Sequence, residues 1–409
     1  AFMTETTGTV ITPTRGILRG SRRSTTLKKR PHLAQLRVST PMAKSTTKLP
    51  YTFSELGSFT EGDIHINRNG LSIEKAPKSP QVEDTLNPDQ LEIFEDQVLG
   101  QGASGIVKLG RFKPQDKIVA IKKVPLNLEP GIRKKVLTEL RTLYQCDHKS
   151  IVSFFGGFLQ DGAVNLVLEF MDGGTLLDCL KVRGRMPEFI VGKMAAYLLP
   201  ALVYIHKELH IVHRDIKPSN ILVNSLGCIK LSDFGVSGKL ANTIGIATTF
   251  AGTLTYMSPE RIQGGGHSTN SDIWSFGLSL LECALGHFPF LAPGEDKNEI
   301  TFFELLHRIQ NKPVLLPDDF SPEFHAFIEL CLKKNPEERM SAVDLVQNEW
   351  VLKYMADTPM HFCRWVHQTL RMQDKQFICS VEDCGECAGS YSPLPPGKTP
   401  TNFFYGTMQ

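Results

Sequence analysis

The chain has almost no net charge: among 409 residues, 45 Lys and Arg stand against 43 Asp and Glu. Such a balance supplies no bulk attraction to nucleic acid or to an anionic membrane surface, so neither is expected as a partner. No apolar run approaches the roughly 20 residues of a membrane span. No apolar stretch follows the N-terminal charges as a secretory leader requires. A soluble chain is expected, placed in the cytoplasm with nuclear entry left open. Internal repeats are absent. Cysteines number only 9. Cys146, Cys179, Cys228, Cys283 and Cys331 stand singly in apolar or mixed segments, which fits buried thiols in a reducing compartment and not a disulfide framework. Cys384-Gly-Glu-Cys387 alone has metal-ligand spacing, with Cys379 near and Cys363 or His361 as a fourth ligand. Solvated tail thiols are the plainer reading.

What is present suits a folded chain with tails. Hydrophobic residues make up 41% of the sequence, enough for a full core. Residues 1–90 are rich in Thr, Ser, Pro, Lys and Arg, and read as mostly disordered. The texture changes at Leu91. Apolar runs bounded by glycine predict strands over 93–98, 118–124 and 163–170. Apolar residues at helical spacing predict helices over 134–143, 191–209, 272–285 and 302–310, with one more after Trp350. Strands come first and helices follow, which predicts a small β-rich lobe joined to a larger α-helical lobe, an α+β arrangement. A polar tail covers 372–409.

Four stretches carry chemistry. Gly100-Gln101-Gly102-Ala103-Ser104-Gly105-Ile106-Val107 lets backbone approach an anion without Cβ hindrance. A dinucleotide fold would place a helix after these glycines. Val107-Lys-Leu-Gly-Arg-Phe reads as a second strand, which favours a hairpin lying over phosphates. Val119-Ala120-Ile121-Lys122 ends an apolar strand in a lysine. Alone it could be an exposed strand-end lysine, but Glu139 in the 134–143 helix offers a partner that would fix it against α- and β-phosphates. His213-Arg-Asp215-Ile-Lys217-Pro-Ser-Asn220 sets polar residues at fixed spacing between apolar runs. Asp215 can accept or orient a hydroxyl proton, Lys217 can steady a transferred phosphoryl group, and Asn220 can hold a metal ion. The strand Ile229-Lys230-Leu231 then leads into Asp233-Phe234-Gly235, where Asp233 is a second metal ligand. Phosphoryl transfer depends mostly on positioning and charge neutralisation, and these residues supply both.

In order and content, residues 93–350 resemble the eukaryotic protein kinase family. Ser258-Pro-Glu260 matches a further family motif, with Ser for the usual Ala. The resemblance implies a two-lobed fold, with ATP and Mg2+ as cofactors. It implies Asp215, Lys217, Lys122 and Glu139 as the catalytic set. Nucleotide would contact Gly100, Gln101, Gly102, Ala103, Ser104, Gly105, Val107, Ala120, Lys122, a gatekeeper Leu168, and a hinge at Glu169, Phe170 and Met171. Asn220 and Asp233 would hold the metal. Asp272 would brace the catalytic loop and Arg339 would pair with Glu260. A scaffold built on a dead kinase should lack Lys122, Asp215 or Asp233, and none is lacking.

Several stretches resemble more narrowly the dual-specificity MAP kinase kinases. They are Met171-Asp-Gly-Gly174, Lys217-Pro-Ser-Asn-Ile-Leu-Val-Asn224, Asp233-Phe-Gly-Val-Ser-Gly-Lys-Leu240 and Gly252-Thr-Leu-Thr-Tyr-Met-Ser-Pro-Glu-Arg261. This resemblance implies a downstream MAP kinase phosphorylated on Thr and Tyr, and an upstream MAP kinase kinase kinase as activator. The alternative is a related kinase acting on Ser and Thr only. Thr243 and Thr249 would be the activating phosphorylation sites, at a spacing similar to the plant-type members, with Thr248 as the alternative second site. Arg214 could pair with such a phosphate or be a packed structural residue. Lys28, Lys29, Arg30, Leu36 and Val38 resemble a docking motif for the MAP kinase within 28–38. A nuclear-import signal or a solvated basic tail are the alternatives. The apolar-striped segment 351–371 resembles the family's docking region for upstream kinases, and could equally cap the large lobe.

Overall fold

The computed structural model describes residues 51–53, 57–83, 85–102, 105–126, 130–234, 255–291, 295, 300–356 and 360–373. The segment 28–38 expected to carry a docking motif, the residues Ala103 and Ser104, the expected phosphorylation sites Thr243 and Thr249, and the tail cysteines lie outside them.

Alternation of buried and exposed positions builds the small lobe. Strands β1 (Tyr51–Phe53), β2 (Phe59–Glu61), β3 (Ile64–Asn67) and β4 (Gly70–Ile73) form an antiparallel sheet in sequence order. Residues 59–73, inside the stretch 1–90 expected to be mostly disordered, are thus built into strands. Phe59, Ile64, Ile66, Leu71 and Ile73 are all buried, and Val82 and Leu86 follow them into the core. The strands are three or four residues long, so a period-two pattern is short enough to vanish in a Ser/Thr/Lys-rich composition. The main sheet follows as β5 (Leu91–Gly102), β6 (Gly105–Phe112), β7 (Lys117–Pro125), β8 (Phe154–Gln160) and β9 (Ala163–Glu169), antiparallel in the order β5-β6-β7-β9-β8. Between β7 and β8 lies α1 (Pro130–Gln145), whose Val136, Leu137, Leu140 and Leu143 are buried at helical spacing.

A short sheet, β10 (Gly174–Thr175), β11 (Ile221–Val223) and β12 (Ile229–Leu231), lines the junction with the helical lobe. That lobe contains α2 (Leu176–Arg183), α3 (Glu188–Val203), α4 (Pro259–Ile262), α5 (Thr269–Leu285), α6 (Phe302–Asn311), α7 (Pro322–Cys331), α8 (Ala342–Leu345), α9 (Glu349–Ala356) and α10 (Met360–Met372). Thr175 and Ser268 start α2 and α5 with reciprocal capping boxes, and Gly286 ends α5 in the left-handed conformation that its C-cap requires. Segment Glu188–Glu208 is long and apolar enough to cross a membrane by length and composition, yet 72% of its most apolar window is buried in the core. From Glu349 onward two helices stand where one was expected after Trp350, because α10 has its own apolar face: Phe362, Trp365, Val366 and Leu370 are all buried.

Candidate active site

The glycine-rich stretch is a hairpin. Gly102 faces Gly105, Gln101 faces Ile106 and Gly100 faces Val107 across β5 and β6, so no helix follows the glycines and the dinucleotide geometry is excluded. Gly105 has φ 129°, and a Cβ there would sit 2.2 Å from the Lys123 carbonyl oxygen. Only glycine fits where β7 comes so close. Behind the hairpin, Ala120 on β7 pairs with Leu168 on β9, and Val119 pairs with Glu169. The Glu169 carboxylate accepts from Lys230 Nζ at 2.7 Å and from the Ser153 amide at 3.1 Å. That fixes the strand end from which Phe170 and Met171 continue. The chain then turns tightly, with the Gly174 amide donating to the Met171 carbonyl at 3.1 Å.

Lys122 stands at the centre. Its ammonium reaches Glu139 Oε1 at 2.8 Å and Asp233 Oδ1 at 2.6 Å, joining β7, α1 and the segment after β12. Lys122 and Glu139 are both buried, while Asp233 keeps about half its side chain exposed. Burial alone would lower the lysine's pKa, but the two carboxylates outweigh it and the shift is upward. The carboxylates diverge: burial raises Glu139, whereas Lys122 draws Asp233 below its ordinary value against the burial cost. Lys122 is therefore a fixed cation, and Asp233 remains an anion open to the cleft.

Opposite lies the loop 213–220. Asp215 Oδ2 receives Lys217 Nζ at 2.9 Å and Asn220 Nδ2 at 2.8 Å, and the same Nδ2 also donates to the Asp215 carbonyl. The Asn220 amide nitrogen is thus committed to Asp215, leaving Oδ1 for a cation. Asn220 Oδ1 and the exposed Asp233 carboxylate are hard oxygen donors of the kind Mg2+ takes. Asp272 on α5 holds the loop from beneath. Its Oδ2 accepts from the His213 amide at 2.7 Å and its Oδ1 from the Arg214 amide at 2.8 Å. Arg214 itself has φ 74°, a left-handed conformation that a side chain adopts only under constraint. Arg339 makes a bidentate pair with Glu260 at 3.0 and 3.1 Å.

Two participants were not singled out from sequence. His206 Nε2 lies 2.8 Å from Asp272 Oδ2, set there by a π-helical turn over Tyr204–Glu208 that follows Pro200 in α3. A lone imidazole in an apolar helical run was its only signal. Lys230 is a buried lysine inside an apolar strand, and that pattern alone called for the carboxylate partner it has in Glu169. Cys363 is buried, with its Sγ 3.1 Å from the Ser225 carbonyl oxygen. Among the described residues no cluster of His, Cys, Asp or Glu could hold a metal by itself. Within 351–371, Val351, Tyr354, Phe362, Trp365, Val366 and Leu370 are buried while Leu352 and Met355 stay exposed, and just before it Trp350 Nε1 donates to Glu188 Oε1 at 2.8 Å. Along α10 an open groove of about 660 Å3 runs between Arg183, Phe189, Arg364 and Met372.

The family description "Protein kinase domain" matches residues 94–351, so the class is that of the protein kinases. Mitogen-activated protein kinase kinase 2 of Arabidopsis thaliana is 39% identical over 328 residues, covering 78% of this chain and 89% of that protein. Mitogen-activated protein kinase kinase 1c of Physcomitrium patens is 41% identical over 330 residues, covering 78% and 94%. The dual specificity mitogen-activated protein kinase kinase dSOR1 of Drosophila melanogaster is 37% identical over 350 residues, covering 80% and 86%. The chain belongs to the mitogen-activated protein kinase kinase family of protein kinases.

Proposed function

We propose that this chain transfers the γ-phosphoryl group of ATP, with Mg2+, to a threonine and a tyrosine in the activation loop of a MAP kinase. The observation that carries the reading is the cluster of Lys122, Glu139 and Asp233 facing Asp215, Lys217 and Asn220. Lys122 neutralises phosphate charge from a site already paired on both sides. Asp215, held by Lys217 and Asn220, orients the attacking hydroxyl and takes its proton. Lys217 offsets charge on the transferred group. Asn220 and Asp233 would hold Mg2+, which when bound screens the phosphate oxygens. The acceptor is proposed from the family relationship, since residue chemistry does not distinguish a threonine from a tyrosine hydroxyl.

Activation would come from an upstream kinase acting on Thr243 and Thr249, with the 28–38 motif engaging the MAP kinase. The decisive experiment mixes the purified full chain, ATP, Mg2+ and a catalytically dead MAP kinase after treatment with an upstream kinase. Phosphate on both Thr and Tyr of the acceptor supports the function. Phosphate on Thr alone favours a Ser/Thr kinase, and no transfer at all favours a scaffold. Replacing Thr243 and Thr249 together by Ala should abolish activation, and full activation of that variant would sink the assignment of those sites.

A further inference from the structure

Glu139 can meet Lys122 only if α1 lies against the main sheet. The back of α1 is gripped by the N-terminal strands. Glu61, at the end of β2, accepts from Arg133 Nε at 2.7 Å, and Asp63, in the turn before β3, takes the Arg141 guanidinium. Arg133 is buried, at 5% exposure, so this is no loose surface pair. At 3.6 residues per turn, Arg133 and Arg141 lie about 80° apart, and Glu139 points about 200° from their midpoint. The two ion pairs therefore press on the face opposite the one that carries Glu139. The contact continues along the helix. The Ser79 amide donates to the Tyr144 carbonyl at 2.9 Å, and Gln81 Nε2 donates to Asp147 Oδ1 at 3.1 Å. Phe59, Ile64, Ile66, Leu71 and Ile73 share one buried cluster with Val136, Leu137 and Leu140 of α1.

We propose that Glu61 and Asp63 are positioning residues for phosphoryl transfer: through Arg133 and Arg141 they hold α1 inward, so that Glu139 stays on Lys122. This rests on the kinase reading of that pair. Neither acid touches nucleotide or acceptor; each acts through a helix whose far side carries the active-site carboxylate. The geometry also separates two effects. The apolar cluster anchors the strands, while the two charged contacts set where the helix rests against them.

The test uses the full-length chain, activated by an upstream kinase, with the double variant Glu61→Gln and Asp63→Asn. These changes keep side-chain shape and remove charge. The expected result is a fall in kcat/KM for ATP of about tenfold with the KM for ATP raised, while the melting temperature moves by only a few degrees. Hydrogen exchange over 130–145 should quicken in the same variant. The exchanged pair, Glu61→Arg with Arg133→Glu, should recover most of the loss caused by Glu61→Arg alone. Unchanged kcat/KM in an active double variant, or equal losses with and without the exchanged partner, would overturn the positioning role alone. A wild-type chain that transfers no phosphate would sink the kinase reading and this role with it.

Discussion

Asp272→Asn is the perturbation that best tests how the catalytic loop is held. Asp272 is 1% exposed and accepts three hydrogen bonds: from the His213 and Arg214 amides at 2.7 and 2.8 Å, and from His206 at 2.8 Å. Asparagine keeps the shape but has a single acceptor oxygen. If that oxygen serves His213 and His206, the new amide nitrogen faces the Arg214 N–H donor to donor. One charge-assisted bond is lost, at about 1.5–3 kcal/mol, and a buried donor is left without a partner, at about 1–3 kcal/mol. Arg214 sits at φ 74°, a conformation that costs about 1–3 kcal/mol and relaxes once the amide is released. The loop carrying Asp215 then has several kcal/mol of reason to leave its present arrangement. Even about 2.7 kcal/mol of that cost corresponds to a hundredfold in rate. The expected outcome is a fall in kcat of about 100-fold, with the KM for ATP little changed because Lys122 and Glu139 are untouched. Steady-state kinetics on a catalytically dead MAP kinase would measure it, with circular dichroism to confirm folding. A folded Asp272→Asn enzyme with kcat within threefold of wild type would refute the reasoning.

Three further outcomes follow from the geometry. Arg339 is fully enclosed beside Glu260, so Arg339→Met should strand the carboxylate and cost about 3–5 kcal/mol, lowering the melting temperature by roughly 6–20 °C. The double change Arg339→Met with Glu260→Met should cost less than Arg339→Met alone, since no charge is stranded. Burial holds the His213 imidazole below its ordinary 6.5, against the pull of Asp272 and Asp215. The unfolded chain takes up that proton first, so stability is full above 6.5 and falls as pH drops through it. Melting curves between about pH 7 and pH 5.5 should therefore be steeper for wild type than for His213→Tyr, and equal slopes would remove His213 from the account. Gly192 in α3 lies under the Tyr354 ring, where a Cβ would come within 2.1 Å of the ring. Gly192→Ala should then cost about 1–3 kcal/mol by overpacking, read as a lowered denaturation midpoint.

The site was legible where its chemistry is local. The glycines, the loop 213–220 and Asp233 lie within short stretches whose polar content is unusual between apolar runs, and the structure sets Asp233 on Lys122 and its neighbour Ser232 on the Asn220 carbonyl. The long strands of 91–125 and 163–169 and the helices over 130–145, 188–203, 269–285 and 302–311 were also legible, because each is long enough for its period to repeat; β8 and α2 were not expected. What sequence could not show was which side chains would share a partner. Lys122 bonds two carboxylates at once, Asp272 serves two backbone amides and an imidazole, and Glu169 meets a lysine far along the chain. These pairings depend on which strand ends and helix faces become neighbours. A residue's own surroundings in sequence carry no record of that. For Asp272 and Arg339 the expected roles rested on family resemblance, and the distances now give them a physical basis.

The N-terminal strands failed to register for a different reason. A four-stranded sheet of three- and four-residue strands has too little apolar surface to form a core by itself. Phe59, Ile64, Ile66, Leu71 and Ile73 are buried in one cluster with residues of α1 and β8. Taken alone, the segment looks unable to fold, and in isolation that judgement is sound. Its order is borrowed from the helix that holds Glu139. The dependence runs both ways: surface that the strands need for burial is surface that α1 would otherwise expose, and Arg133 would lose its carboxylate if they left. A segment whose folding requires one particular placement of α1 also stabilises that placement, which is how strands remote from the nucleotide can bear on the Lys122–Glu139 pair.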